Sequence, residues 1–463
     1  MPNIEYVVVL ALENRSFDSM LGRLYPKTEQ FDGLGGSESN PWHKPDGSIE
    51  TITVWNSPKL TAHAASIPVD DPGELFSDIN QQIFGHPTQP GARASMTGFV
   101  DNYMAQPEGD SPRDPRAAMH YFLPRQVPVI SQLARAFGVS DRWHASAPCE
   151  TWPNRYFMHC GTAGGRVNNR KSYLPYLPAA MPTIFRRLGA RGHKWRIYFH
   201  DMPQSAALVD LWTKIPTHFC LFQDEFERHA STGRLATYSF IEPRYFTSQR
   251  HQTVPNDQHP PHNMVYGEQL IAAVYNAVRS APTWPRTLLV IVYDEHGGCF
   301  DHVPPPPAVP PGGPYPDGFR FDRYGVRVPA VIVSPYVPPG SIVSPASGPD
   351  GEQSPPFDHC SIQATLHRLF DLGPPLTPRV AAAPDLISAL SLSKPENNGP
   401  EHIELVEVLP TIDEVEGLHR RHRNRHQQNF YYPTLGIPAA AARLTGHVRG
   451  LGAKVASRRR SRR

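Results

Sequence analysis

The sequence predicts a three-layer α/β/α sandwich around a mostly parallel sheet. Three observations predict it. Short runs are β-branched and nearly unbroken in apolar residues, amphipathic helical patterns lie between them, and two of the runs end in paired acids. Residues 4–12 (IEYVVVLAL) form the first run. A strand buried on both faces, as in a parallel sheet, has this near-continuous apolar character rather than strict alternation. Residues 287–293 (TLLVIVY) and 328–333 (VPAVIV) share it, and 196–199 (RIYF) and 237–241 (TYSFI) show it more weakly.

Helical periodicity fills the gaps. Residues 129–137 put Ile130, Leu133, Ala134 and Phe137 on one face. Residues 264–278 do the same with Leu270, Ile271, Val274 and Val278, and 361–372 with Ile362, Leu366, Leu369 and Phe370. Strands alternating with such helices make a sheet covered on both sides. Long proline- and glycine-rich loops interrupt the rhythm, most clearly at 33–47 and 304–316. Loops of that length in compact domains often serve as lids or site walls. The rhythm fades near residue 395, so the expected division is a main domain over 1–395 and a basic extension over 396–463 with a disordered end.

Composition narrows the class. The 463 residues are 39% hydrophobic, enough for a large core, and 52 prolines fit a folded domain with stiff loops better than collagen or disorder. The formal net charge is +2, and five of the last six residues are arginines, so the basic character sits in the tail. That pattern does not indicate a specific nucleic-acid binder. Cys149, Cys160, Cys220, Cys299 and Cys360 are odd in number, widely spaced and without a C-x-x-C, which argues against a disulfide framework or zinc ribbon and leaves room for one disulfide. No signal-peptide pattern precedes the first strand and no run is long enough to cross a membrane as a helix, so the expected location is cytoplasmic, or secreted if the N-terminus is trimmed. The arginine tail would draw anionic lipid at about 1 kcal/mol per basic residue near a charged surface. A solvated end with no role is the simpler reading.

The chemistry is expected at the strand ends. The first run leads into Glu13–Asn14 and a second into Asp294–Glu295–His296. In open α/β sheets ligands bind beyond the carboxyl ends of strands, and carboxylates plus an amide oxygen converging there suit a divalent metal. Each acid alone has a plain alternative, as a cap on a strand or helix. Thr151 precedes a proline-containing helical segment, near a helix N-terminus that favours phosphate. Its plain alternative is an N-cap threonine. Among the 22 histidines, those in loops beyond strand ends stand out as acids or phosphoryl donors: His200, His259, His302 and His359.

Together these segments resemble the phosphoesterase family of bacterial non-haemolytic-type phospholipases C and respiratory-burst-inhibiting acid phosphatases, within the alkaline-phosphatase-like fold group. The resemblance rests on ENRSFDSMLG (13–22), TWPNR (151–155) with CGT (160–162), YDEHGGCFDHVPPP (293–306), and RVPAVIVSPYV (327–337) followed by FDHCSI (357–362). It implies a phosphoesterase catalytic domain over 1–395. It also implies one divalent metal ion on Glu13, Asn14, Asp294 and Glu295, with Thr151 as further ligand and nucleophile. Asn14 and His259 would meet phosphoryl oxygens, and His259 would assist the leaving group, with His302 and His200 as weaker alternatives. One position departs from the family: Glu74 stands where a histidine is expected, with His86 or His120 as its replacement.

The resemblance implies a phosphoester substrate, most readily a phospholipid cleaved by a phospholipase C-type phosphodiesterase through a phospho-threonine intermediate. A phosphomonoesterase of acid-phosphatase type is the alternative reaction. A catalytically inactive binding protein on the same scaffold is the alternative of another class, to be told apart by metal titration. The sequence fixes neither the metal nor the oligomeric state.

Overall fold

The computed structural model describes residues 2–85, 93–107, 112–169, 181–346, 354–404 and 408–420. The apolar runs become strands because only a twice-covered sheet buries both sides of each. In chain order the strands are β1 (Tyr6–Leu12), β2 (Ser39–His43), β3 (Ile49–Thr53), β4 (Gly138–Ser140), β5 (Trp195–Phe199), β6 (Phe219–Leu221), β7 (Tyr238–Ile241), β8 (Thr287–Tyr293), β9 (Ala330–Val333) and β10 (Ser341–Ile342). The α-helices are α1 (Phe17–Met20), α2 (Phe76–Phe84), α3 (Phe99–Ala105), α4 (Pro128–Ala136), α5 (Thr151–Cys160), α6 (Ile184–Ala190), α7 (Ile215–His218), α8 (Phe222–Ser231), α9 (Met264–Arg279), α10 (Cys360–Phe370), α11 (Pro378–Ala382) and α12 (Ile412–Arg420).

Eight strands form one sheet in the order β10-β4-β9-β8-β1-β7-β5-β6. β1 runs parallel to β8 and β7, in register from Tyr6 opposite Thr287 to Leu12 opposite Tyr293. The side chains of both central strands are buried along almost their whole length, so helices cover both faces. One group is α4, α8 and α9; the other is α5, α6 and α10. The three-layer, mostly parallel expectation holds. β9 is the exception, antiparallel to both β8 and β4. Its apolar run marked burial on two faces, and burial does not encode strand direction.

The stretch 33–47, read from sequence as loop, contains β2. That strand pairs with β3 around a turn in which Gly47, at φ 85°, donates its N–H to Lys44 O at 3.0 Å. The hairpin joins α2 and α3 around a second, smaller core that includes Ile52, Ile79, Ile83, Phe99 and Phe300. Phe300 belongs to the loop after β8, so this unit is anchored beside the end of that strand. Beyond residue 395, the chain packs along α9: Tyr275 donates to Pro400 O, and Tyr266 to Glu414 at 2.6 Å. All five cysteines are free. Among the described residues no helix is long and apolar enough to cross a membrane. The arginine tail and His86 lie outside the described residues.

Candidate active site

The register of β1 on β8 decides where the acids go. Leu12 faces Tyr293, so the next residues, Glu13 and Asp294, leave the sheet side by side, and Asp294 donates its N–H to Leu12 O at 3.2 Å. The chain then turns sharply at Asn14, whose φ of 52° is unusual for a residue with a side chain. That turn aims its amide group across the two strand ends. Asn14 donates its backbone N–H to Asp294 Oδ1 at 3.3 Å, and its Nδ2 to Glu295 Oε1 at 2.9 Å and Glu74 Oε1 at 2.7 Å. Gly297 makes room for the turn: at φ 59°, a Cβ there would lie 2.4 Å from Asn14 O. At its neighbour Gly298 a Cβ would lie 2.5 Å from Pro72 Cβ and 3.0 Å from Gly73 O, so the loop carrying Glu74 packs closely there.

Helix α5 closes the other side. Every one of its ten residues is buried, so it is a core helix rather than an amphipathic one. Glu150, not Thr151, is its N-cap, and the side chain of Asn169 accepts the Trp152 N–H at 2.8 Å. The Thr151 hydroxyl is thus released from capping, and it has no hydrogen-bond partner among the described residues. One turn further on, Arg155 donates Nε to Asp294 Oδ2 at 2.8 Å and reaches Glu13 Oε1 at 3.2 Å. It ties α5 to both strand ends and brings the helix N-terminus to the same corner. Gln204 adds a short hydrogen bond to Glu13.

The third wall comes from loops. His259 donates Nδ1–H to Pro260 O at 2.6 Å and turns Nε2 to Glu74 at 3.2 Å, with Asp71 at 3.9 Å from Nδ1. Asp257 accepts the His259 N–H at 3.0 Å and pairs with His262 at 2.6 Å. Burial alone would neutralise His259, but the Glu74 carboxylate and then Asp71 hold its pKa well above the usual histidine value.

The chemistry of this centre suits a cation. Glu13, Asn14, Thr151, Asp294 and Glu295 are all 0% exposed. Burial drives the three carboxyl groups upward; Asp294 adds to the rise at Glu13, while Glu74 and Asp294 add to it at Glu295, and Arg155 only partly offsets the rise at Glu13 and Asp294. Buried carboxylates crowded in this way call for a cation. Two oxygen acceptors, Asn14 Oδ1 and Thr151 Oγ1, have no partner among the described residues, and buried polar groups are seldom left so. The donor set is all oxygen, which suits a hard ion.

Among the described residues, histidine and carboxylate ligand atoms meet within 4.8 Å of one another in two triples, Asp71–Glu74–His259 and Asp18–Asp301–His302, and Glu13, Asp294 and Glu295 do not form a third. The first adjoins the centre through Glu74. The second is occupied by Arg327, which bonds Asp18 at 3.0 Å and Asp301 at 2.9 Å.

The structure thus gathers Glu13, Asn14, Asp294, Glu295 and, through Glu74, His259, with Thr151 heading the helix that Arg155 docks. His302 lies in the Arg327 cluster, bonded to Asp18 at 2.7 Å and Asp32 at 3.0 Å. His200 stacks on Phe222, bonds the backbone carbonyl of Glu242 at 2.9 Å and lines a separate cleft of about 730 Å³. His359 holds the backbone of Asp294, at 2.6 Å, and His120 packs between Trp55 and Phe122; burial lowers both to about 3. The partners read least clearly from sequence are Arg155, Gln204 and Glu74. Arg155 carried a signal, its one-turn spacing from Thr151; Gln204 carried none.

The model of the Phosphoesterase family matches residues 4–373. Non-specific phospholipase C3 of Arabidopsis thaliana is 36% identical over 407 residues, covering 86% of this chain and 75% of its own. Non-specific phospholipase C6 of the same plant is 38% identical over 417 residues, covering 88% and 76%. Non-hemolytic phospholipase C of Burkholderia pseudomallei is 27% identical over 517 residues, covering 97% and 66%. A solved structure of a protein in the alkaline phosphatase superfamily from Vibrio parahaemolyticus overlaps 56% of this chain and 63% of its own, with a TM-score of 0.33 and 11% identity.

Proposed function

The chain belongs to the phosphoesterase family, and from that premise we propose that it is a metal-dependent phosphodiesterase of phospholipase C type that works through a phospho-threonine intermediate. The observation that carries this reading is the Thr151 hydroxyl. It is fully buried, heads a ten-residue helix docked by Arg155 on the acid pair, and has no partner among the described residues. A helix N-terminus stabilises negative charge on an attacking oxygen and on phosphate.

Glu13, Asn14, Thr151, Asp294 and Glu295 would hold the cation, each bonded carboxylate oxygen keeping a further lone pair. When bound, that ion would lower the pKa of the threonine hydroxyl and polarise a phosphoryl oxygen. Thr151 Oγ, as the alkoxide, forms a bond to phosphorus while the P–O bond to the diacylglycerol-like alcohol breaks. His259, protonated on both nitrogens, gives one proton to the departing oxygen. Water then adds to phosphorus and returns a proton to His259. The Thr151 Oγ–P bond breaks, the alkoxide is restored, and the phosphorylated head group leaves. Asn14 and His259 orient the phosphoryl group throughout, and the closed centre excludes bulk water.

The test is hydrolysis of p-nitrophenyl phosphorylcholine by the wild type, with and without chelator, and by Thr151→Ala. Loss of turnover in both cases is expected. Activity surviving the substitution would remove Thr151 from the mechanism.

A further inference from the structure

We infer that Glu74 sets the charge of ester the centre accepts, favouring a phosphodiester monoanion over a phosphomonoester dianion. The inference rests on the phosphoesterase reading above and names the substrate class of the same site.

Glu74 is 2% exposed and belongs to none of the roles assigned so far. Its Oε1 meets Asn14 Nδ2 at 2.7 Å and His259 Nε2 at 3.2 Å. Those are the two side chains that would face phosphoryl oxygens, so a carboxylate stands at the donor atoms of both. Neither needs it for position alone. Asn14 is already held by Glu295 and by its own backbone bond to Asp294, and His259 by Pro260 and Asp257.

The position of the carboxylate gives it its meaning. Glu74 meets Asn14, which also bonds Glu295, and it meets His259 Nε2, while Asp71 lies 3.9 Å from His259 Nδ1. A diester brings one negative charge to these donors and a monoester brings two, so a carboxylate at the donors opposes the second charge. Removing that carboxylate removes the opposition. A unit-charge term at about 5–7 Å and an effective dielectric of about 20 corresponds to at least a tenfold change in discrimination.

The test compares the metal-loaded wild type with Glu74→Gln, Glu74→Ser and the charge-retaining Glu74→Asp. Values of kcat/KM are measured for p-nitrophenyl phosphorylcholine and p-nitrophenyl phosphate, with calorimetric binding of inorganic phosphate and metal content alongside. The neutral variants should lower the diester-to-monoester ratio at least tenfold and bind phosphate more tightly, while Glu74→Asp should keep the wild-type ratio. A merely structural role would lower both substrates together and leave the ratio and phosphate affinity unmoved, which overturns the inference. Loss of metal from the neutral variants overturns it too, since Glu74 would then be a ligand. If one neutral variant does not fold, the other carries the comparison, and phosphate binding supplies a readout independent of turnover. A wild type inactive on both esters would sink the phosphoesterase reading itself, whereas an unchanged ratio in a wild type that prefers the diester sinks only the role of Glu74.

Discussion

Two buried acidic clusters are built from the same two stretches of chain. Residues 13–18 and 294–302 supply Glu13, Asn14, Asp294 and Glu295 to one, and Asp18, Asp301 and His302 to the other. The second is closed on itself. Arg327 bonds Asp18 and Asp301 and donates to Asp32 O at 2.8 Å and Asp141 O at 3.0 Å, while His302 bridges Asp18 and Asp32. The first has its own arginine, yet Arg155 Nη1, Asn14 Oδ1 and Thr151 Oγ1 have no partner among the described residues. Closure makes the Arg327 cluster a joint between α1, the loop after β8 and the approach to β9. On the proposed reading, incompleteness leaves the Glu13 cluster for ligands, and chemistry and architecture are then separated by a few residues along each segment.

The largest effect expected from breaking this contrast is on turnover. Thr151→Ala should lower kcat by about 10³-fold or more, as removal of a nucleophile does, with only a small change in unfolding free energy. Steady-state kinetics and a denaturant melt check the two halves. Arg327→Met should do the reverse. Removing one side of a buried pair costs about 3–5 kcal/mol, so a melt should show that loss while kcat per folded molecule stays near the wild-type value. A strong fall in that kcat would mean the Arg327 cluster takes part in the chemistry.

Metal provides a smaller test. A divalent ion at about 100 times its Kd should add about 2.7 kcal/mol of stability, seen as a rise in Tm. Glu295→Gln should blunt the rise, and His302→Gln should leave it intact. An equal loss in both would erase the distinction between the clusters.

The smallest effect is on pH dependence. Burial works against the charged form of His302, but the hydrogen bonds it donates to Asp18 and Asp32 prevail and hold its pKa up at about 10. The folded value exceeds the free-histidine value of about 6.5, so the stabilisation is complete below about pH 6.5 and is lost as pH rises toward 10. The stability gap between wild type and His302→Gln, read by urea melts, should therefore shrink over that range. A gap that grew with pH would mean the imidazole is neutral in the fold. Asp32 is held well below the usual range by the same hydrogen bond, so the interaction is counted once.

Much of this was legible in the chain. The run 287–293 matches β8 residue for residue, and the periodicity at 264–278 matches α9 to within one residue. Both segments are long and bury their apolar faces completely, so pattern and packing agree. Strands of two or three residues, β4, β6 and β10, are too short to carry a pattern. They exist because neighbours offer them an edge.

At the site, strand-end acids were visible because a parallel sheet sends its carboxyl ends to one side. The division of labour among histidines was not. His302 follows the acid pair by a few residues, yet its ring is claimed by Asp18 and Asp32. Side-chain direction in loops depends on contacts made far along the chain, as Glu74 shows by meeting His259 at 3.2 Å.

The central claim is that Thr151 attacks phosphorus before water does. The most direct measurement is the stereochemical course at phosphorus, with a chiral phosphorothioate diester hydrolysed in ¹⁸O-water. Each in-line displacement inverts the centre, so two displacements through Thr151 predict overall retention of configuration. Inversion would mean a single direct attack by water and would contradict the account.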